Sequence, residues 1–77
     1  MKPKYNVGDI IVAPHYNGHN LPAVLTIIKR EPNKKIPNLL SYTMLCSDEK
    51  VGKIILIQED IDYYVSEGEY IHYPVKK

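Results

Sequence analysis

Apolar residues along the chain come in short, β-branched runs cut by glycine, proline and asparagine. That spacing fits strands and tight turns and leaves no stretch with a sustained helical period. A first strand is predicted over about Asp9 to Pro14, where Ile10, Ile11 and Val12 sit between Gly8 and Pro14. A loop from His15 to Pro22 follows, with Asn17-Gly18 as its turn signal, since both residues tolerate positive φ. The second strand, about Ala23 to Lys29, reads Ala-Val-Leu-Thr-Ile-Ile-Lys, too continuous for one plainly wet face. Arg30 to Asn38 holds two prolines and three of the chain's basic residues and reads as a projecting loop.

The third strand, about Leu40 to Cys46, alternates cleanly. Leu40, Tyr42, Met44 and Cys46 fall on one face and Ser41, Thr43 and Leu45 on the other. A charged turn over Ser47 to Gly52 leads to a fourth strand, about Lys53 to Gln58, and a fifth is predicted from about Glu69 to Tyr73. Between them, acidic turn formers followed by Tyr63-Tyr64-Val65 predict a single helical or 3₁₀ turn that Gly68 ends. Five short strands with one short 3₁₀ turn before the last describe an all-β fold, a small, strongly curved antiparallel barrel. The whole chain, 1–77, is expected to be one such domain, with flexible ends over 1–6 and 74–77.

Composition narrows the range of jobs. With 77 residues, 44% hydrophobic and 25% charged, the chain has the makeup of an ordered domain but little area for a deep cleft. A surface-acting, non-enzymatic binding module is expected. The net charge of +1 hides an asymmetry: residues 1–38 carry six basic and two acidic groups, residues 39–77 four basic and seven acidic ones. Cys46 is the lone cysteine, so no intramolecular disulfide forms and a reducing, cytoplasmic setting is expected. No signal peptide, membrane anchor or membrane-spanning run is read in the sequence. Ile, Lys, Tyr and Asn, whose codons are rich in A and T, fill 31 positions while Arg occurs once. That usage points to a low-GC bacterium or one of its phages, the latter placing the protein in the host cytoplasm.

Seven tyrosines with no Phe or Trp put recognition chemistry at the wet edge of the fold. Tyr42 and one of Tyr63 and Tyr64 are expected to fill the core. Tyr16, His19, Tyr63, Tyr64 and Tyr73 are the candidate partner-binding residues, with Tyr70 near them. An open sheet edge on the third or fifth strand would pair with a partner strand, or with a second copy to give a homodimer. The alternative ligand is nucleic acid, held by a basic tip of Lys29, Arg30, Lys34 and Lys35. His15-x-x-x-His19 with Cys46 and His72 lacks the second close pair of a zinc site, so no metal or cofactor is expected. Cys46 with a histidine, or Glu59 with Asp60 and Asp62, is explained by packing and turn chemistry, so no catalytic residue is assigned.

The order of elements looks like the SH3-like small β-barrel superfold, which includes KOW, Tudor and chromo-barrel modules. Tyr5-x-Val7-Gly8-Asp9-x-Ile11-Val12 is similar to the opening of many such barrels. With Pro14-His15, Thr26-Ile27, Tyr42 to Leu45 and Ile55 to Ile57, residues 5 to 65 most resemble the Tudor-like RNA-polymerase-interacting domain of CarD-type transcription regulators. The chain departs from that pattern in its Tyr16 to Pro22 loop and in lacking a Val-Pro pair in the fourth strand. The resemblance implies a protein partner in the transcription machinery, or a KOW- or Tudor-like hold on nucleic acid.

Overall fold

A computed structural model describes residues 3–15 and 22–75. The strands are β1 (Ile10–Ala13), β2 (Ala23–Pro32), β3 (Leu40–Cys46), β4 (Lys53–Ile57) and β5 (Ile71–Tyr73); one helix, α1 (Gln58–Ser66), precedes β5. All strand pairs are antiparallel, and they form a single sheet in the order β4-β3-β2-β1-β5. No pairing joins β4 to β5, so the sheet is open and the expected closure into a barrel is not made.

The inward face follows the alternation in the sequence. Ile11 and Ala13, Ala23, Leu25 and Ile27, and Tyr42, Met44 and Cys46 are buried together, with Ile61 of α1 packed onto them. β2 departs from simple alternation through a bulge at Ile28: Ile27 pairs with Met44, but Lys29 pairs with Thr43. The extra residue reverses the parity of everything after it. Arg30 therefore stands opposite Tyr42 on the concave side, and β2 runs on to Pro32. The projecting loop expected from Arg30 is shortened to the hairpin tip beyond Pro32.

The expected 3₁₀ turn is a nine-residue α-helix. Its length has a geometric cause. β4 and β5 occupy opposite edges, and in a flat sheet four inter-strand gaps span about 19 Å; nine helical residues rise about 13 Å, and the following turn covers the rest. Glu59 and Asp60 in the first turn suit the positive end of the helix dipole. The helix stops in a Schellman arrangement: Glu69 N–H donates to Tyr64 O at 2.9 Å and Gly68 N–H to Val65 O at 3.1 Å, with Gly68 at φ +77°.

Residues 4–6, within the 1–6 end, run as a strap across the inward side of the sheet. Tyr5 is buried, its ring edge-on to Tyr42 at 5.5 Å and to His72 at 4.8 Å. Tyr5 OH donates to Asp62 Oδ1 at 2.6 Å, and Lys4 Nζ pairs with Asp62 Oδ2 at 3.0 Å. Gln58 Oε1 accepts from Lys4 N–H and from Tyr42 OH, tying the strap to α1 and β3. Arg30 Nη1 donates to Tyr5 O at 2.7 Å and to Asn6 Oδ1 at 3.0 Å.

Asp9 is wholly buried and joins both ends of the described chain. Its Oδ2 accepts from Asn6 N–H at 3.0 Å and from His72 Nε2 at 2.7 Å; its Oδ1 accepts from Val75 N–H at 2.9 Å. Within the 74–77 end, Val75 is bonded to Asp9, and 76 and 77 lie outside the described residues. Burial alone would raise the Asp9 pKa, but the bonds from Val75, Asn6 and His72 outweigh it and hold the carboxyl below its ordinary value. Among the described residues, no buried side-chain nitrogen or oxygen lacks a partner.

An acceptor-only group is required at position 9. Asp9→Asn turns one acceptor into an NH₂ facing existing donors, and urea unfolding at pH 7 is expected to show a loss of about 2–3 kcal/mol. Because the folded-state pKa is depressed, the Asp9 contribution is complete above the unfolded value near ~3.9 and disappears as pH falls through the folded one. The acid limb of the stability curve should therefore flatten in Asp9→Asn; an unchanged limb would refute this role. Gly68→Ala places a Cβ in open space but at positive φ, and should cost about 1–2 kcal/mol in the same measurement.

Candidate functional site

Two surfaces stand out, one apolar and one acidic and aromatic. The first is the outer face of the sheet. Antiparallel partners project to the same side, so the register builds a row of Tyr73, Ile10, Thr26 and Leu45, flanked by Ile71 beside Val12 and by Ile55 beside Thr43. Ile10, Ile28, Leu45, Ile55, Ile71 and Tyr73 are each 40–66% exposed. Scattered exposed apolar residues are ordinary on a soluble protein, but a joined face is a mark of contact with another molecule. At either side, β4 and β5 present unpaired backbone edges.

The second surface is a groove of about 500 Å³ at the C-terminal end of α1, lined by Ala13, His15, Tyr64, Glu67, Glu69 and Tyr70. Local sequence builds it. The Schellman turn reverses the chain at Gly68, and Tyr70 N–H donates to Tyr64 O at 3.1 Å, folding residues 67–70 back over the last helical turn. The Tyr64 and Tyr70 rings then meet at 4.9 Å with a 44° tilt, and Tyr63 lies edge-on to Tyr64 at 5.7 Å.

The candidate residues are dispersed over these surfaces. Tyr63 is exposed on α1, 59% accessible, and Tyr64 is half-buried in the groove. Neither fills the core in the way Tyr42 does. Tyr73 stands apart from this trio, on the outer face in register with Ile10. Tyr16 and His19 lie outside the described residues. Tyr70, Glu67 and Glu69 complete the groove without having been singled out together, because nothing in the local pattern shows which strand end they meet.

The basic tip is divided. Arg30 is committed to Tyr5 O and Asn6 Oδ1 within the fold, and Lys29 pairs with Glu31 at 3.3 Å. Lys34 and Lys35 remain exposed on the hairpin tip, where Asn33 Oδ1 accepts the N–H groups of Lys35 and Ile36. That tip follows the Pro32 end of β2 while the groove borders the Ala13 and Ala23 end, so the two lie roughly 25–30 Å apart along the strand. Lys34 and Lys35 thus lie at one end of β2, and Glu67 and Glu69 near the other.

Three of the groups weighed for chemistry are engaged in the fold, Asp62 among them through Tyr5 and Lys4. His72 is held by Asp9 and packed against Tyr5, and Cys46 is buried and unpaired with another cysteine. Among the described residues, no group of three or more His, Cys, Asp or Glu is arranged to hold a metal ion, and no helix is long and apolar enough to cross a membrane. Burial, reinforced by the bond to Asp62, pushes the Tyr5 phenol well above its usual range, and burial likewise raises Tyr42. Among the described tyrosines, brief tetranitromethane treatment followed by peptide mass mapping should modify the exposed Tyr63 and Tyr73 before the buried Tyr5 and Tyr42, whose raised pKa values disfavour the reactive phenolate. The reverse order would contradict this surface. Comparison with protein-family models, curated proteins and solved structures finds no match for the chain.

Proposed function

We propose that the chain is a non-enzymatic, SH3-like binding module that docks a protein partner through the outer face of its sheet, the open β5 edge and the neighbouring tyrosines. The observation that carries this reading is the joined apolar face running from Tyr73 and Ile71 across Ile10 to Leu45 and Ile55. Burying apolar area is worth about 25 cal/mol per Å², and these side chains leave that area in water in the isolated chain. The four-strand meander, and the helix that returns the last strand beside β1, support the SH3-like reading. A component of the transcription machinery is the partner class to which the CarD-type resemblance points, in a low-GC bacterium or the host of a phage.

Nucleic acid is the weaker ligand on physical grounds. Phosphate binding needs several uncommitted cations on one surface, and Arg30 and Lys29 are engaged within the chain. The groove end carries Glu67 and Glu69, which repel phosphate.

The test is affinity capture from nuclease-treated lysate of the native host, with three forms of the chain. Replacing Ile10 and Leu45 by Lys should abolish capture of a specific protein, an effect of about 30-fold or more if these are central contacts. Replacing Lys34 and Lys35 by Glu should leave it. The opposite pattern, with binding to random duplex DNA that falls with log salt at about −0.9 per phosphate contact, would transfer the function to nucleic acid. A sedimenting dimer that Leu45→Lys dissolves would assign the face to a second copy.

A further inference from the structure

We propose that the groove at the end of α1 receives a basic side chain, lysine or arginine, from the protein partner; this rests on the protein-binding reading and specifies the partner's chemistry. Three independent features converge on a cation. The groove lies at the C-terminal, negative end of the α1 dipole, and the last helical turn has no basic residue to offset it. Glu67 and Glu69 face it, and among the described residues neither has a basic partner. The paired rings of Tyr64 and Tyr70 form its wall, and a ring face attracts a cation through its quadrupole.

Among the described residues no cation pairs with Glu67 or Glu69, and Lys50 and Lys53 stand on the β3–β4 side of the sheet, away from β5. Lys4 is spent on Asp62, Arg30 on the strap, and Lys34 and Lys35 lie at the far end of β2. Two glutamates without a basic partner among the described residues attract a cation from an approaching partner to the groove. The groove opens beside Ile71 and the β5 edge, where the apolar outer face begins. Lysine and arginine suit this geometry because their stems lie along apolar surface while their heads carry the charge.

The experiment is an NMR titration of the full chain at low ionic strength with the peptide acetyl-Gly-Lys-Gly-Arg-Gly-amide. Its neutral counterpart, with acetyl-lysine and citrulline, and magnesium chloride serve as comparisons. Saturable shifts confined to residues 13–15 and 64–71, present only with the basic peptide, are expected. Glu67→Gln with Glu69→Gln should weaken binding about tenfold, equal to about 1.4 kcal/mol, and Tyr64→Leu should weaken it with both carboxylates in place. Both variants must keep the wild-type amide spectrum elsewhere, which separates lost binding from lost fold. Equal shifts with the neutral peptide, the same response to magnesium, or indifference to the glutamine pair would overturn the inference. Lysate capture separates the two readings. Capture that needs Ile10 and Leu45 but ignores Glu67→Gln with Glu69→Gln removes the groove alone, whereas a positive titration without any captured protein removes the outer-face reading and leaves the groove's preference standing.

Discussion

The buried carboxylate of Asp9 is the constraint around which the rest of this small sheet is arranged. It meets donors from the N-terminal turn, from β5 and from the segment after it, and so closes the chain's two ends over β1. A charge with no exposure to water is tolerated only when its acceptors are filled, and three donors fill them. His72 is thereby fixed under Tyr5, Tyr5 is fixed against Tyr42, and the strap comes within reach of Gln58 and Asp62 on α1. A domain this short buries a modest apolar core, and this polar seam adds to it by tying the chain ends to the sheet.

The same economy sets the surfaces. An open sheet can bury one face under its helix and strap, and the other is left to solvent or to a second molecule. The β-branched residues of β1, β2 and β4 then face outward as well as inward, because in so short a chain the strands alternate between two apolar environments. The helix that must cross from β4 to β5 ends where the chain turns back, and its end, its two glutamates and its stacked tyrosines share one groove. Connectivity also places the exposed Lys34 and Lys35 on the β2–β3 hairpin tip and Glu67 and Glu69 on the turn after α1, toward the other end of β2.

Much of the architecture was legible in the residues because side-chain alternation and turn chemistry are local. The β3 span, its inward Tyr42, Met44 and Cys46, and its outward Leu45 follow from a two-residue period alone. The strand ends marked by Gly8, Pro14 and Gly52, and the stop at Gly68, follow from φ preferences. Arg30 was not legible as a fold residue, since its side depends on a bulge at Ile28 that only pairing with β3 creates. The helix over Gln58–Ser66 was underestimated for a related reason. Its apolar positions are few, and its length is dictated by the distance between two sheet edges rather than by its own propensity.

By itself, then, the sequence determined five strands, the inward face of β3, the lone thiol and the uneven charge of its two halves, each read from residues close together in the chain. Tertiary structure decided that Asp9 is buried with three donors, that the sheet stays open, that Arg30 braces the strap, and that Tyr64, Tyr70, Glu67 and Glu69 share a groove with His15. Those outcomes join residues up to 66 positions apart, and such contacts are set by strand order and register, which no local pattern contains.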